Sequence, residues 1–288
     1  MADISAATVM KLRKMSGQGM MDCKQALTET NGDLDKAMDI LRKKGMATMA
    51  KRAERETSQG IVVSKSCDGG KTVVFASLCC ETDFVAKSDD FISVADKLGD
   101  YGIACSADTG NDTLAETELN GKKLKDLITE SVSKTGEKTQ IGDFARFKLQ
   151  GPGLIAVYIH FNHKVGTMVE IATSDDKVAA SDIIKTAGND IAMHITATKP
   201  LALDKTGIDP KILEQEKAIY AEQVKGKPAN IVDKIVEGKL QKFYAENCLL
   251  EQPFVKDDSK TVAQMLEESA KAAGGTAKIT RFVRFEVG

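Results

Sequence analysis

The run Thr72-Val73-Val74-Phe75-Ala76-Ser77-Leu78-Cys79-Cys80, followed by Glu81-Thr82-Asp83-Phe84-Val85-Ala86-Lys87 and then Ser88-Asp89-Asp90, decides how the chain is organised. Its first part is β-branched and apolar, which favours a strand. Ser88-Asp89-Asp90 is a helix cap and acidic first turn. Phe84 is therefore expected in the connection between strand and helix, where it and Asp83 stand at an edge. An arbitrary aromatic in such a loop more often folds back onto the core, with a neighbouring acid capping the turn.

Working outward, Gly60-Ile61-Val62-Val63 begins a strand, Asp68-Gly69-Gly70 turns it, and Thr72 to Leu78 returns ahead of a helix around Asp89 to Ile103. Residues 153 to 198 repeat the plan. Leu154 to Phe161 is a strand, Asn162-His163-Lys164 a turn, Val165 to Thr173 the return strand, and Lys177 to Thr196 helical sequence ending before Pro200. Two related α+β subdomains with antiparallel sheets follow. Residues 113 to 134 add a helix whose Leu119, Leu124, Leu127 and Ile128 can cover the first sheet.

Residues 5 to 45 read as three short helices, with Ser5 and Asp33 as N-caps and a glycine stop at Gly45. Val9, Leu12, Ala26, Leu27, Ala37, Ile40 and Leu41 supply one apolar face per helix. Met20 and Met21 fall in the first turn of the second helix, and one is expected inside the small core with the other outside. The charged, alanine-rich segment from Ala47 to Thr57 reads as a linker with helical tendency. The domain plan is thus a module over 1–46, a linker over 47–57, a first subdomain over 58–140 and a second over 141–288.

Within the second, residues 209–247 form two helices around Lys225-Gly226-Lys227-Pro228, with Asp209 as cap and Pro210 at the first helical position. Ile212, Ile219 and Val224 can face Val232, Val236, Leu240 and Phe243 in an antiparallel coiled-coil hairpin. A last strand from Lys278 to Glu286 alternates apolar and polar residues and returns to the second sheet.

Composition narrows the function. Forty basic and 42 acidic side chains in 288 residues leave a formal charge of -2, which gives no broad cationic field for nucleic acid or an anionic membrane. Six cysteines without a C-x-x-C pair fit reduced, mostly buried thiols. Met1-Ala2-Asp3-Ile4-Ser5 lacks the basic start and apolar core of a signal peptide, so a soluble cytoplasmic protein is expected.

No enzyme motif stands out. Gly70-Lys71-Thr72 resembles the end of a phosphate loop, but Lys65 occupies the place of its first glycine and a strand follows. His160, His163 and His194 have no thiolate or carboxylate at metal-ligand spacing, so no metal and no cofactor is assigned. A thiol redox role for Cys79-Cys80 is weakened by the strain of bridging vicinal cysteines. The missing motifs make an enzyme less expected than a protein that acts by binding, either altering its partner's state or holding it passively.

Thr82-Asp83-Phe84-Val85-Ala86-Lys87 resembles the signature of bacterial elongation factor Ts, and the likeness runs along nearly the whole chain. It includes Gly17-Gln18-Gly19-Met20-Met21-Asp22-Cys23-Lys24-Gln25-Ala26-Leu27, Ile191-Ala192-Met193-His194-Ile195, Gln252-Pro253-Phe254-Val255 and Arg284-Phe285-Glu286-Val287-Gly288. The resemblance implies a UBA-like fold for the three-helix module and a guanine nucleotide exchange factor that is not an enzyme. It implies that Thr82, Asp83, Phe84 and Val85 press on the G domain of elongation factor Tu, the aromatic wedging between helices and the acid disturbing the magnesium site. It further implies partner contacts from Met20, Met21, Gly136 and His160. Because one chain holds both halves of the body, a one-to-one complex with elongation factor Tu is expected, and the near-neutral charge predicts no direct nucleic-acid contact. Two departures stand out. Thr135-Gly136-Glu137-Lys138 replaces the family's I-G-E-N, and His163 lies close enough to His160 to compete for its role.

Overall fold

The computed structural model describes residues 4–224 and 229–288. Its elements are α1 (Ala6–Ser16), α2 (Met20–Glu29), α3 (Leu34–Lys51), β1 (Gln59–Cys67), β2 (Thr72–Cys80), α4 (Asp83–Ala86), α5 (Asp89–Ala104), α6 (Asn111–Glu116), β3 (Glu118–Leu119), β4 (Lys122–Lys123), α7 (Leu124–Thr135) and β5 (Thr139–Lys148). There follow β6 (Gly153–Ile159), β7 (Val165–Thr173), α8 (Asp176–Ala180), α9 (Asp182–Thr198), α10 (Pro210–Gln223), α11 (Ala229–Asn247), β8 (Pro253–Phe254), β9 (Asp257–Thr261), α12 (Val262–Ala272) and β10 (Ala277–Glu286). The class is α+β. The chain divides into two compact units, Met1–Phe147 with Phe161–Val165 and Phe285–Gly288, and Lys148–His160 with Gly166–Arg284.

In the first unit, Val9, Leu12, Cys23, Ala26, Leu27, Ala37 and Leu41 form the core of the three-helix module. The Ser5 hydroxyl and the Asp33 carboxylate cap α1 and α3 as expected. Gly45 does not end the third helix. Here α3 continues to Lys51, because its glycine lets the helix approach α7 so closely that a Cβ at Gly45 would lie 2.7 Å from the Thr129 carbonyl oxygen. The Ser133 hydroxyl donates to the Leu41 carbonyl and Arg42 pairs with Asp126 across the same contact. The first part of the expected linker is therefore packed helix.

The first sheet has the order β1-β2-β5. Antiparallel β1 and β2 pair from Gln59 opposite Cys80 to Cys67 opposite Thr72, so Gly70-Lys71-Thr72 belongs to a hairpin. All nine residues of β2 are buried, as suits the central strand. Phe91, Ala95, Leu98 and Tyr101 of α5 pack on one of its faces together with Leu114, Leu124 and Ile128. The single helix expected over 113 to 134 is two helices separated by a small hairpin. Asn120 and Gly121 both adopt positive φ there, 54° and 75°, as a two-residue turn demands. The subdomain boundary expected at 140 also moves, since β5 crosses it as the third strand of this sheet.

In the second unit the sheet order is β10-β7-β6, with Gly153 opposite Ala172 at one end of the β6–β7 pair and Ile159 opposite Gly166 at the other. α9 and α12 cover it through Ile184, Ile191, Ile195, Val262 and Leu266. The helical run after β7 breaks at Ser181, whose hydroxyl accepts from Ile183 N–H and starts a new helix.

α10 and α11 form the hairpin, but its seam differs from the expected one. Ile212 and Ile219 are exposed, whereas Leu213 packs at the base on the cluster of Ala202, Ile208, Phe243 and Cys248, and Val224 is buried. Farther along, the Lys239 ammonium sits 5.4 Å from the Tyr220 ring centre and donates to Gln223. The turn expected at Lys225-Gly226-Lys227-Pro228 lies outside the described residues.

Candidate functional site

Strand β2 ends at Cys80, where its backbone turns out of the sheet. Thr82 stops in extended geometry and its hydroxyl accepts from Val85 N–H at 3.4 Å, opening the four-residue helix α4. Phe84 therefore lies inside a short helix rather than in an irregular connection. Ala86 is buried and Val85 packs against the first core, which turns the opposite side of the helix outward. Phe84 lies on that side and is 83% exposed. The ring stands outside the first core.

Asp83 shares the exposed turn. Its carboxylate accepts from the Lys87 ammonium at 2.8 Å, and this bond holds its pKa below the ordinary carboxylate value. The pair is solvated, so it orients the acid more than it stabilises the fold.

Two acceptors, Glu81 and Glu137, and two donors, Arg52 and the Lys138 N–H, hold the turn from behind. Arg52 donates to both Glu81 oxygens at 2.8 and 2.7 Å, and Lys138 N–H donates to Glu81 at 2.7 Å. Burial raises the Glu81 pKa, but the Lys138 N–H and the Arg52 guanidinium outweigh it and leave the group below its usual range. Glu137 accepts from the Thr82 N–H at 3.1 Å and from its hydroxyl at 2.8 Å.

Gly136, one of the expected contact residues, is the left-handed C-cap of α7 with φ 72°, directly before Glu137. The structure thus brings Gly136 and Thr82 into one cluster. Glu137, Glu81 and Arg52 carry no site signal in the sequence. Arg52 lies in the expected linker, and no local pattern links any of the three to Phe84.

Met20 and Met21 begin α2 behind Gly19, and both are exposed, at 46% and 74%. The expectation of one inside and one outside does not hold, because Leu12, Cys23 and Leu27 already fill the small core. His160 follows β6 in the second unit, half-buried, with its Nδ1 3.2 Å from the Tyr158 hydroxyl. His163 is a turn residue at φ 57° and belongs to the first unit. His194 is buried in the second unit against Gln252.

Among the described residues no group of three or more histidines, cysteines or acids is placed to hold a metal ion. No described helix is long and apolar enough to cross a membrane. Cys79 and Cys80, successive residues of β2, point to opposite faces. Burial pushes their thiols up to about 11 and about 12, which removes the thiolate that redox chemistry needs.

Comparison with known proteins identifies the family. The family model described as Elongation factor TS matches residues 81–288. A protein named elongation factor Ts from a Nitratiruptor species is 43% identical over 289 aligned positions, covering 99% of this chain and 93% of the relative. Its counterpart in Desulfovibrio desulfuricans is 42% identical, covering 100% of this chain and 99% of that protein. One from Clostridium perfringens is 40% identical, covering 99% of this chain and 93% of that protein.

Proposed function

This chain belongs to the elongation factor Ts family, and from that premise we propose that it is the guanine nucleotide exchange factor of elongation factor Tu, acting by contact and without chemistry of its own. It binds the GDP form of Tu, disturbs the magnesium site there and lets GDP leave so that GTP can enter. The observation that carries this reading is the 83% exposed ring of Phe84 on a helix turn tied down at both sides.

Such a ring gains little until a partner covers it. Burying a phenylalanine is worth roughly 1.5–3 kcal/mol, enough to force apart a packed seam in the partner when the rest of the docking surface supports it. Asp83 stands beside the ring as an acid directed at the partner. A magnesium ion bridging protein and phosphate oxygens needs near-octahedral geometry, so a small shift of its supports weakens nucleotide binding. Thr82 and Val85 frame this contact, while Met20, Met21, Gly136 and His160 supply docking.

Linkage sets the thermodynamics. If the factor prefers nucleotide-free Tu to GDP-bound Tu, GDP weakens the factor's hold by the same ratio. One chain carries both units, so the complex is one-to-one, formed in the cytoplasm without nucleic acid.

The test is release of fluorescent GDP from magnesium-loaded Tu with wild-type protein or Phe84→Ala, with binding measured separately. Strong acceleration by wild type that drops in a variant still able to bind supports the wedge. Tight binding by wild type without acceleration shows a passive holder of Tu instead.

A further inference from the structure

Two acidic side chains reach across the same gap in opposite directions. Glu81 accepts the backbone N–H of Lys138 at 2.7 Å, while Glu137 accepts the backbone N–H of Thr82 at 3.1 Å. Each carboxylate therefore ties its neighbour's partner strand, and the exit of β2 is clasped to the start of β5. Glu81 is also held by Arg52, whereas Glu137 spends its second oxygen on the turn itself, accepting a hydrogen bond through the Thr82 hydroxyl proton at 2.8 Å.

That proton decides how Thr82 behaves as a cap. A hydroxyl has one proton and two lone pairs, so a hydroxyl donating to Glu137 presents its lone pairs to the first turn of α4. The Val85 N–H is the group that takes them. The chain of bonds runs from the Glu137 carboxylate through the Thr82 hydroxyl to the backbone that carries Asp83 and Phe84. Both links at the carboxylate are charge-assisted and stronger than neutral bonds.

α4 needs this support. A helix of four residues cannot repay its own nucleation cost, so its shape is imposed by what holds its ends. The Lys87–Asp83 pair tightens the outer side but is solvated, and the inner side is anchored through Thr82.

We propose that Glu137 is a positioning residue for nucleotide exchange, which presets the Thr82 cap so that the Phe84 turn meets the partner already formed. This rests on the exchange role proposed above for Phe84. Docking is supplied by Met20, Met21 and His160, which lie outside this turn, so a turn that must still order after docking draws its ordering cost from the exchange step. Loss of Glu137 then lowers the maximal rate of GDP release at saturating factor more than it weakens initial binding.

A merely structural role for Glu137, bracing the turn between α7 and β5, would lower stability without this selective effect. The experiment uses the full chain as wild type, Glu137→Ala, Glu137→Gln, Thr82→Val and the Thr82→Val/Glu137→Ala pair. Amide hydrogen exchange is read at Thr82 and Val85, thermal unfolding on the same samples, and GDP release as a function of factor concentration.

Glu137→Ala is expected to raise amide exchange at Thr82 and Val85 at least about tenfold, as loss of a charged hydrogen bond implies. The maximal GDP release rate falls about tenfold, the half-saturating concentration changes by less than about threefold, and the pair loses no more than the worse single variant. Glu137→Gln keeps one acceptor oxygen and recovers part of both effects. Full maximal rate in Glu137→Ala overturns the proposal, as does a loss that tracks unfolding alone. Should Glu137→Ala not fold, the same readings on Glu137→Gln and Thr82→Val decide. Wild type that fails to accelerate release sinks the exchange reading itself, while the amide exchange still reports on the clasp.

Discussion

Glu137 and Thr82, 55 positions apart in sequence, are joined by two hydrogen bonds of 2.8 and 3.1 Å, and the turn they secure is the one that exposes Phe84. This relationship separates what stabilises the protein from what the protein presents. The ring is outside the core, while its backbone is anchored to the core's edge.

Phe84→Ala is accordingly expected to leave folding nearly untouched. A side chain so exposed contributes within about 0.5 kcal/mol to stability. GDP release from Tu should slow at least about tenfold, the factor that corresponds to losing an apolar contact of about 1.5 kcal/mol. Chemical denaturation alongside the release assay checks both halves, and a variant with full activity would remove the wedge from the mechanism.

Gly45→Ala tests the docking of α3 on α7. A Cβ there would lie 2.7 Å from the Thr129 carbonyl oxygen and 2.9 Å from the Ser133 Cβ, neither of which is the free end of a flexible chain. A destabilisation of about 1–3 kcal/mol follows from overpacking, against the small gain alanine brings to a solvent-facing helix position. Thermal unfolding measures it, and a raised midpoint would mean that the contact is looser than described.

His194 makes the second unit sensitive to acid. Its Nδ1 accepts from Val255 N–H at 3.2 Å, which requires that nitrogen to be unprotonated, while Nε2 faces the Gln252 carbonyl oxygen at 2.8 Å. Burial lowers the pKa below the ordinary 6.5, and the Gln252 contact only partly opposes it. The unfolded chain thus takes up a proton before the folded one does. The stability tied to neutral His194 is complete above the ordinary pKa and declines as pH falls below it toward the lowered value. Denaturation from about pH 7.5 down to 5 should show this slope, and His194→Gln should flatten it; an unchanged slope in the variant would assign the acid sensitivity elsewhere.

Cys79 and Cys80 are expected to resist thiol reagents in the folded protein. With their thiols held up to about 11 and about 12, almost no thiolate exists near neutral pH. The Cys80 sulfur also donates to the Thr82 carbonyl at 3.2 Å. Reagent uptake at these two positions should appear only on unfolding, and conservative replacement of both should leave GDP release within about twofold. Rapid native labelling at either cysteine would count against the buried assignment.

Much of the architecture was legible locally. The caps at Ser5, Asp33 and Ser88, the hairpin around Asp68-Gly69-Gly70 and the alternation of the final strand report backbone geometry set by near neighbours. Two local signals went unread, the Asn120-Gly121 turn and the Thr261/Gln264 capping box that opens α12. Within the candidate site, Thr82 to Val85 stood out in sequence, while the residues that hold them did not.

The sequence by itself determined the alternation of strands and helices, the apolar faces and the family, because those depend on residue type and short-range spacing. Tertiary structure alone decided that α3 runs past Gly45, that Leu213 rather than Ile212 enters the hairpin base, and that Arg52, Glu81 and Glu137 converge behind Phe84. Those outcomes depend on which surfaces meet, and helix approach, side-chain burial and carboxylate pairing take their energies from neighbours far away in the chain.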